Sequence, residues 1–453
     1  MTRIAVIDIG KTNAKLALVE GETLAEIAVV TRPNRPRPGP PWPQFDLEGL
    51  WDFFLHHLAG FHAAHGIDAI SVATHGASGV VLGRDGGIAA PMLDYEHPGP
   101  DGHAAAYDAI RPDFAQTGSP RLPAGLNLGA QLHWMLHEDP GLAARLAHVV
   151  TYPQYWGWRL TGEIASDVTS LGCHTDLWNP WAGDWSDLPG RLGLAGLIAP
   201  PRHPGEMLGR VTPQVAAATG LAPATPVAVG IHDSNASLYP HVLGRAAPFS
   251  VVSTGTWVVA MAIGGARGPL DARRDVLVNV NALGQPVPSA RFMGGRKFQI
   301  VGAGDSAPRT EADRQAALRQ GLMLLPAVEP GSGPFPGRRM RWTAEPGGAG
   351  PRMVALSWYL ALMTDACLGL IGARGPVVVE GPFARNPDYL DMLAALRPDG
   401  VETAGSATGT SVGAALLCLT DTRPPATRVW PQPADRAGLA AYGARWQAAV
   451  AAG

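Results

Sequence analysis

Apolar residues near the start of the chain fall into three short runs parted by polar turns. Ile4-Ala5-Val6-Ile7 is unbroken and leads into Asp8-Ile9-Gly10-Lys11-Thr12-Asn13. Ala14 to Val19 then alternates back out, and Glu20-Gly21 turns the chain again before Leu24 to Val30. This pattern predicts strand, turn, strand, turn, strand. A loop rich in proline and arginine follows over 32–44. Leu50, Phe53, Phe54, Leu58 and Phe61 then recur at helical spacing and predict a helix from Leu47 to about His65, with a buried strand over Ala69 to Ala73.

The middle of the chain carries a predicted helix from Asn127 to His137 and a passage from helix towards strand between Ala144 and Tyr152. A short buried strand, Pro226 to Gly230, ends in the polar cluster Ile231-His232-Asp233-Ser234-Asn235. After Gly244 the opening pattern returns as Phe249 to Ser253, the turn Thr254-Gly255-Thr256, and Trp257 to Ile263. Strand, Gly/Thr turn, strand appears twice, which suggests an internal duplication with a boundary near 244–248. Two domains are therefore expected, 1–244 and 245–453. The second half should also hold a loop over 331–339, a long helix from about Arg352 to Gly372 and a strand from Pro376 to Glu380. A helix from Pro387 to about Leu396 and a glycine-spaced turn, 405–413, opening a last helix from Ala414 to Leu419, complete it.

Length agrees with two cores, since 453 residues exceed what one compact core usually holds. Apolar residues make up 46% and charged residues only 16%, a globular α/β composition. A formal net charge of -3 without a basic stripe argues against a nucleic-acid partner. Cys173, Cys367 and Cys418 lie too far apart for a disulfide framework or a four-thiolate zinc site, so a reducing compartment is expected. The first strand begins without a basic leader, and no stretch reaches roughly 18 uninterrupted apolar residues. A cytoplasmic protein with no membrane partner is the expectation.

Chemistry concentrates at the turns. In Asp8 to Lys15, a glycine lets backbone approach a ligand, Thr12 and Asn13 offer donors to phosphate oxygens, and Lys11 or Lys15 offers charge. Asp8 stands where it could hold magnesium, although a polar hairpin turn would read the same way. Asp233, just past a buried strand, occupies a common place for a catalytic base, while the plainer alternative is a helix cap. Gly381-Pro382-Phe383 and Gly409 to Gly413 could wall a nucleoside or simply make tight turns. His75, His97, His174 and His232 lack zinc-binding spacing. Ser78, in Gly76-Ala77-Ser78-Gly79, misses the nucleophile elbow of a hydrolase by one residue. Trp156, Trp158, Trp178, Trp181 and Trp185 are read mostly as core, with one or two left over to stack on a sugar.

Taken in order and at these distances, the pieces resemble the FGGY carbohydrate kinases, of the sugar kinase, actin and heat-shock ATPase superfamily. Asp8 to Lys15 resembles the first phosphate motif, and Gly129 to Leu136 the first family signature, with Gln131 where lysine is usual. Leu160 to Asp167 matches a Leu-Thr-Gly stretch, and Ala217 to Asp233 the run to the catalytic aspartate. Ser253 to Trp257 resembles the second phosphate motif; Glu380 to Asn386 and Gly409 to Ala415 resemble the adenosine motif and the closing helix. The resemblance implies an α/β fold of two actin-like (ribonuclease H-like) lobes with a cleft between them. The N-terminal lobe would carry the sugar site and base, and the C-terminal lobe the nucleotide motifs.

The implied activity is ATP- and magnesium-dependent phosphorylation of a ketose or polyol. Asp233 would be the base and Asp8 the metal ligand. Gly10, Lys11, Thr12, Asn13 and Lys15 would meet the phosphates together with Gly255 and Thr256, and Gly381 and Gly409 would line the nucleoside. Thr74, His75, Asp94, Glu96 and Gln131 would face the sugar. Glu380-Gly381-Pro382-Phe383 departs from the family's glycine triplet, and the chain is somewhat short in its second half. His232 before Asp233 resembles the rhamnulose and fuculose kinases and points to a 6-deoxyketohexose. A homodimer is the assembly to expect. The rival reading is a sugar- or nucleotide-binding sensor on the same fold that has lost catalysis.

Overall fold

The computed structural model describes residues 2–302, 309–404, 409–420 and 426–452. The three opening runs form strands Arg3–Ile9, Asn13–Glu20 and Glu26–Pro33, the third starting two residues later than Leu24, and the elements group into two compact units.

In the first unit, Arg3–Ile9 pairs antiparallel with Asn13–Glu20, which pairs antiparallel with Glu26–Pro33. On its other side Arg3–Ile9 runs parallel to Ala69–Thr74, which Pro226–Ala228 and Ile231–His232 flank, also parallel. Ala69–Thr74 is buried at every position, as a strand covered on both faces should be. Helix Leu47–His65 covers the sheet through Leu47, Leu50, Phe54 and Leu58, and Asp46 caps it by accepting from the Gly49 amide at 2.9 Å. Burying those four side chains contributes roughly 1.5–3 kcal/mol each. Phe53 and Phe61, on the edge of the predicted stripe, are only partly buried.

The second unit repeats this order. Phe249–Thr254 pairs antiparallel with Val258–Ile263, which pairs antiparallel with Pro286–Phe292. The other neighbour of Phe249–Thr254 is the parallel strand Val377–Glu380, followed by parallel Val401–Ala404. Three antiparallel strands and a parallel continuation thus occur in both halves, the related cores that the duplicated openings suggested and the actin-like fold that the family resemblance implied. Helix Ala349–Leu370 is the spine of this unit, with Met353 to Thr364 buried without a break. Its mean hydropathy reaches 1.5 over an 18-residue window, enough by length and composition to cross a bilayer, yet 78% of that window is buried inside the protein.

The chain does not divide into two contiguous stretches. Val278–Pro286 and Thr408–Pro424 belong to the first unit, while Arg245–Leu277, Val287–Ala407 and Pro425–Gly453 form the second. The last helix of the adenosine-like segment also begins earlier than its glycines suggest. It runs Thr410–Leu416, so Thr410 to Gly413 are helical, and predicted turn residues 405–408 lie outside the described residues. Gly413 explains where this helix docks: a Cβ there would stand 1.7 Å from the Ala236 carbonyl oxygen. Only glycine lets its backbone lie this close to helix Asp233–Val242.

Candidate active site

The first two strands carry Asp8 and Lys15 side by side next to their turn, in register across the pair, with Lys15 Nζ 3.4 Å from Asp8 Oδ2. Ser411 Oγ donates to the same oxygen at 3.2 Å. Burial raises the Asp8 pKa above its ordinary value; Lys15 opposes the rise and the charge of Asp233 adds to it. The Gly10 amide donates to the Asn13 carbonyl at 2.9 Å, and Asn34 donates to the Gly10 carbonyl at 2.8 Å, which fixes the turn. Thr12 and Asn13 are exposed, and the Asn13 side-chain amide donates to Thr12 Oγ1 at 3.2 Å. Among the described residues no cluster of three or more His, Cys, Asp or Glu side chains could hold a metal. Asp8 nevertheless suits magnesium, which usually keeps several waters and takes one or two carboxylates plus substrate phosphates.

Lys11 departs from its expected company. Its side chain is 19% exposed, and its ammonium bonds Asp94 and lies 3.3 Å from Glu96 Oε2. It also stands 4.6 Å from the ring centroid of Tyr95 and 5.2 Å from that of Phe45. The structure thus brings one assigned phosphate ligand to two assigned sugar ligands.

Asp233 is the first residue of its helix, with His232 at the cap position. Its Oδ1 accepts from the Ser234 amide at 2.6 Å and lies 3.1 Å from His232 Nε2; the side chain is 30% exposed. Burial alone would raise this carboxyl, but His232 outweighs it, with help from His75 and the Ser234 amide, and the pKa falls below the ordinary value. His232 is buried. Its Nδ1 lies 3.1 Å from the Asn235 amide nitrogen, and its Nε2 lies 3.6 Å from Cys173 Sγ. Burial opposes its charge, yet Cys173 and Asp233 hold its pKa well above the usual imidazole value.

Beyond it, His75 packs among Phe45, Tyr95 and Tyr152, with ring centroids 5.1–5.3 Å away. Burial pushes its pKa down to about 4, so the ring is neutral near pH 7. Nδ1 lies 3.1 Å from the Gly76 carbonyl oxygen, which can only accept, and 3.2 Å from Ser78 Oγ, so the tautomer protonated at Nδ1 is the one that satisfies the carbonyl. Nε2 is then an acceptor, buried and without a hydrogen-bond partner among the described residues. Asp233 acts electrostatically on both His75 and Tyr95, which places this carboxylate, the imidazole and the Lys11 cluster in one neighbourhood.

Other assigned sugar residues lie deeper. Thr74 is fully buried and donates to the His75 carbonyl at 3.1 Å. Gln131 is buried too, and its amide nitrogen donates to the Ala77 and Gly125 carbonyls at 2.6 and 2.5 Å. It ties loops together. Sequence reasoning missed Tyr95, Phe45 and Ser411; the acid-flanked aromatic in Asp94-Tyr95-Glu96 was the available signal for the first.

In the second unit the Gly255 amide donates to the Trp257 carbonyl at 2.8 Å, and Gly295 donates to the Gly255 and Thr256 carbonyls, leaving Thr256 exposed. Gly381 has φ 81°, and a Cβ on it would lie 2.1 Å from the Thr254 carbonyl oxygen. Thr254 Oγ1 also donates to the Glu380 carbonyl and accepts from the Phe383 amide. Gly381 is thus explained by its packing on the phosphate-motif strand. Gly409, in the first unit, has open space where a Cβ would point.

Residues 3–239 match the N-terminal domain model of the FGGY family of carbohydrate kinases, and 246–427 match a C-terminal domain model of carbohydrate kinase FGGY. A carbohydrate kinase from Novosphingobium aromaticivorans superposes with a TM-score of 0.90 at 39% identity, covering 98% of this chain and 100% of that one. L-fuculokinase of Escherichia coli (strain K12) is 25% identical over 57% of this chain and 56% of its own length. Rhamnulokinase of Klebsiella pneumoniae is 27% identical over 42% of this chain and 38% of its own. The alignments therefore span about half, or less, of the length of these curated relatives. With both domain models matched in order over nearly all its length, the chain belongs to the FGGY family of carbohydrate kinases.

Proposed function

We propose that this protein transfers the γ-phosphoryl group of ATP to a hydroxyl of a small ketose or polyol. The observation that carries the reading is the placement of Asp233. It opens a helix, its Oδ1 is engaged by Ser234 and His232, and it neighbours an unpartnered acceptor on His75.

Asp233 is the general base. With Oδ1 engaged, Oδ2 accepts the proton of the acceptor hydroxyl as that oxygen bonds to the γ-phosphorus and the bond to ADP breaks. A carboxyl held below its ordinary pKa is ionised throughout the neutral range, ready for this role. Asp8 would hold magnesium, which when bound would supply positive charge to neutralise the phosphates. Thr12, Asn13 and Lys15 meet phosphate oxygens from the first unit; Gly255 and Thr256 are the corresponding contacts of the second. Gly381 and Gly409 serve the nucleoside, Gly381 by shaping its turn.

The names of the relatives and His232 before Asp233 support 6-deoxyketohexoses such as L-fuculose and L-rhamnulose as first candidates. Three free cysteines support a reducing, cytoplasmic setting. The test is a coupled ADP-release assay across ketoses and polyols. Acceptor-dependent ADP release supports the reading; binding of sugar and ATP without any turnover would leave the sensor reading in its place.

A further inference from the structure

Lys11 follows the glycine of a phosphate motif, yet its ammonium points away from that duty. It bonds Asp94, approaches Glu96 at 3.3 Å, and lies over the faces of Tyr95 and Phe45. An ammonium held by two carboxylates and two rings has little freedom to follow a phosphate. Both rings also pack against His75, whose buried Nε2 presents a lone pair with no partner among the described residues. An unmet acceptor of this kind asks for a donor from a ligand. Within this patch of the first unit, a cationic donor, carboxylate acceptors, a neutral imidazole acceptor and two aromatic faces stand together.

Building on the kinase reading above, we propose that Lys11 is a specificity-determining residue for the acceptor sugar and that the site selects neutral polyhydroxy acceptors over sugar acids. A hydroxyl can donate to His75 Nε2 or Asp94 and accept from Lys11, so a run of hydroxyls finds its complement in every group present. A carboxylate cannot donate. It would also meet Asp94, Glu96 and Asp233, three carboxylates against two cations, Lys11 and His232, each already engaged by a carboxylate. Such net negative surroundings discriminate by repulsion as well as by fit. Glu96, whose side chain is 66% exposed, contributes least to holding Lys11; Asp94, 13% exposed, contributes most.

The experiment compares steady-state kinetics of the wild type and Lys11→Met with ATP, a panel of ketoses and polyols, and D-gluconate. Methionine keeps the apolar stem and removes the charge. The KM of the best neutral acceptor should rise about 10- to 100-fold, as expected on losing a charge-assisted hydrogen bond, while the KM for ATP stays within about twofold. Wild-type kcat/KM for gluconate should be at least about 100-fold below that of the best neutral acceptor. A rise in the KM for ATP alone would return Lys11 to the phosphates and overturn the inference. So would no change in either constant, or a wild-type preference for gluconate. Should Lys11→Met fail to fold, Asp94→Asn supplies the same decision: freeing Lys11 should raise the KM for neutral acceptors and lower it for gluconate, and the reverse pattern refutes the proposal. If the wild type phosphorylates nothing, the kinase reading fails separately. Calorimetric titration of the same panel into wild type and Lys11→Met then decides this inference on binding alone.

Discussion

Asp233→Asn separates a base from a helix-terminal acid most sharply. Asparagine keeps the size of the side chain and an oxygen to accept from the Ser234 amide, so the local hydrogen bond at 2.6 Å survives. What it loses is a lone pair basic enough to take a proton. A positioned base contributes about 10²- to 10⁴-fold, so kcat should fall by that factor, equivalent to roughly 3–5 kcal/mol of barrier. The structural cost is much smaller. Removing a negative charge from the first turn of a helix costs about 0.3–1 kcal/mol and relieving the repulsion that Asp233 exerts on Asp8 gives part of it back, while His232 loses the carboxylate at Nε2 and relaxes towards its neutral form. In a domain this large, 1 kcal/mol moves the Tm by about 2–4 °C. The assay pairs kcat with a melting curve and with calorimetric Kd values for acceptor and nucleotide. Near-normal turnover in a folded Asp233→Asn protein would refute the base assignment, whatever happened to the Tm.

Three further outcomes are expected. Asp8→Asn should raise the magnesium concentration needed for half-maximal rate and depress turnover while leaving acceptor affinity nearly unchanged, measured by metal titration at saturating sugar; collapse of sugar binding instead would reassign Asp8. His75 is buried neutral with a pKa of about 4, whereas the unfolded chain protonates it near 6.5. Stability should therefore drop as pH falls from 6.5 towards 4 and the unfolded state takes the proton first. His75→Gln should remove about 3 kcal/mol of that dependence in urea titrations. Lys297 is fully buried in the second unit, and its Nζ has no hydrogen-bond partner among the described residues. Desolvation pulls its pKa down to about 8. Lys297→Met should raise stability at pH 7 by up to about 3 kcal/mol, and the gain should shrink as pH climbs from 8 to 10.5, where the wild-type lysine folds neutral.

What the sequence made legible was local. Strand Arg3–Ile9, its glycine turn and helix Leu47–His65 follow from periodicity alone, because alternation and helical spacing are properties of neighbouring residues. Asp233 could be picked out because it ends a buried run and begins a helix. Lys11 could not be placed, since its partners Asp94 and Glu96 lie more than 80 residues away and adjacency to Thr12 suggested phosphate. Gln131 looked like a ligand through its place in the family's first signature, yet it spends its amide on two backbone carbonyls. Gly381 carried a real signal with an incomplete reading: its positive φ and the nearness of Thr254 demand glycine before any nucleotide does. Assignment of Thr410–Leu416 to the first unit depends on a packing contact between Gly413 and Ala236, which no local pattern encodes.

That contact bears on how the protein can be made and cut. Helix Thr410–Leu416 supplies a wall against the helix that Asp233 opens, and its Ser411 reaches Asp8, so the first unit includes residues synthesised long after residue 244. A ribosome that has released residues 1–244 has released a sheet without its closing helix, with apolar positions such as Ile4, Val6 and Ala236 lacking the cover of Ala414 and Ala415. Such a nascent intermediate should be a chaperone client until the late segment arrives. The same reasoning governs engineering. A chimaera that exchanges residues 1–244 alone would pair a new base helix with an old wall, whereas one that carries 278–286 and 408–424 as well would transplant the unit intact.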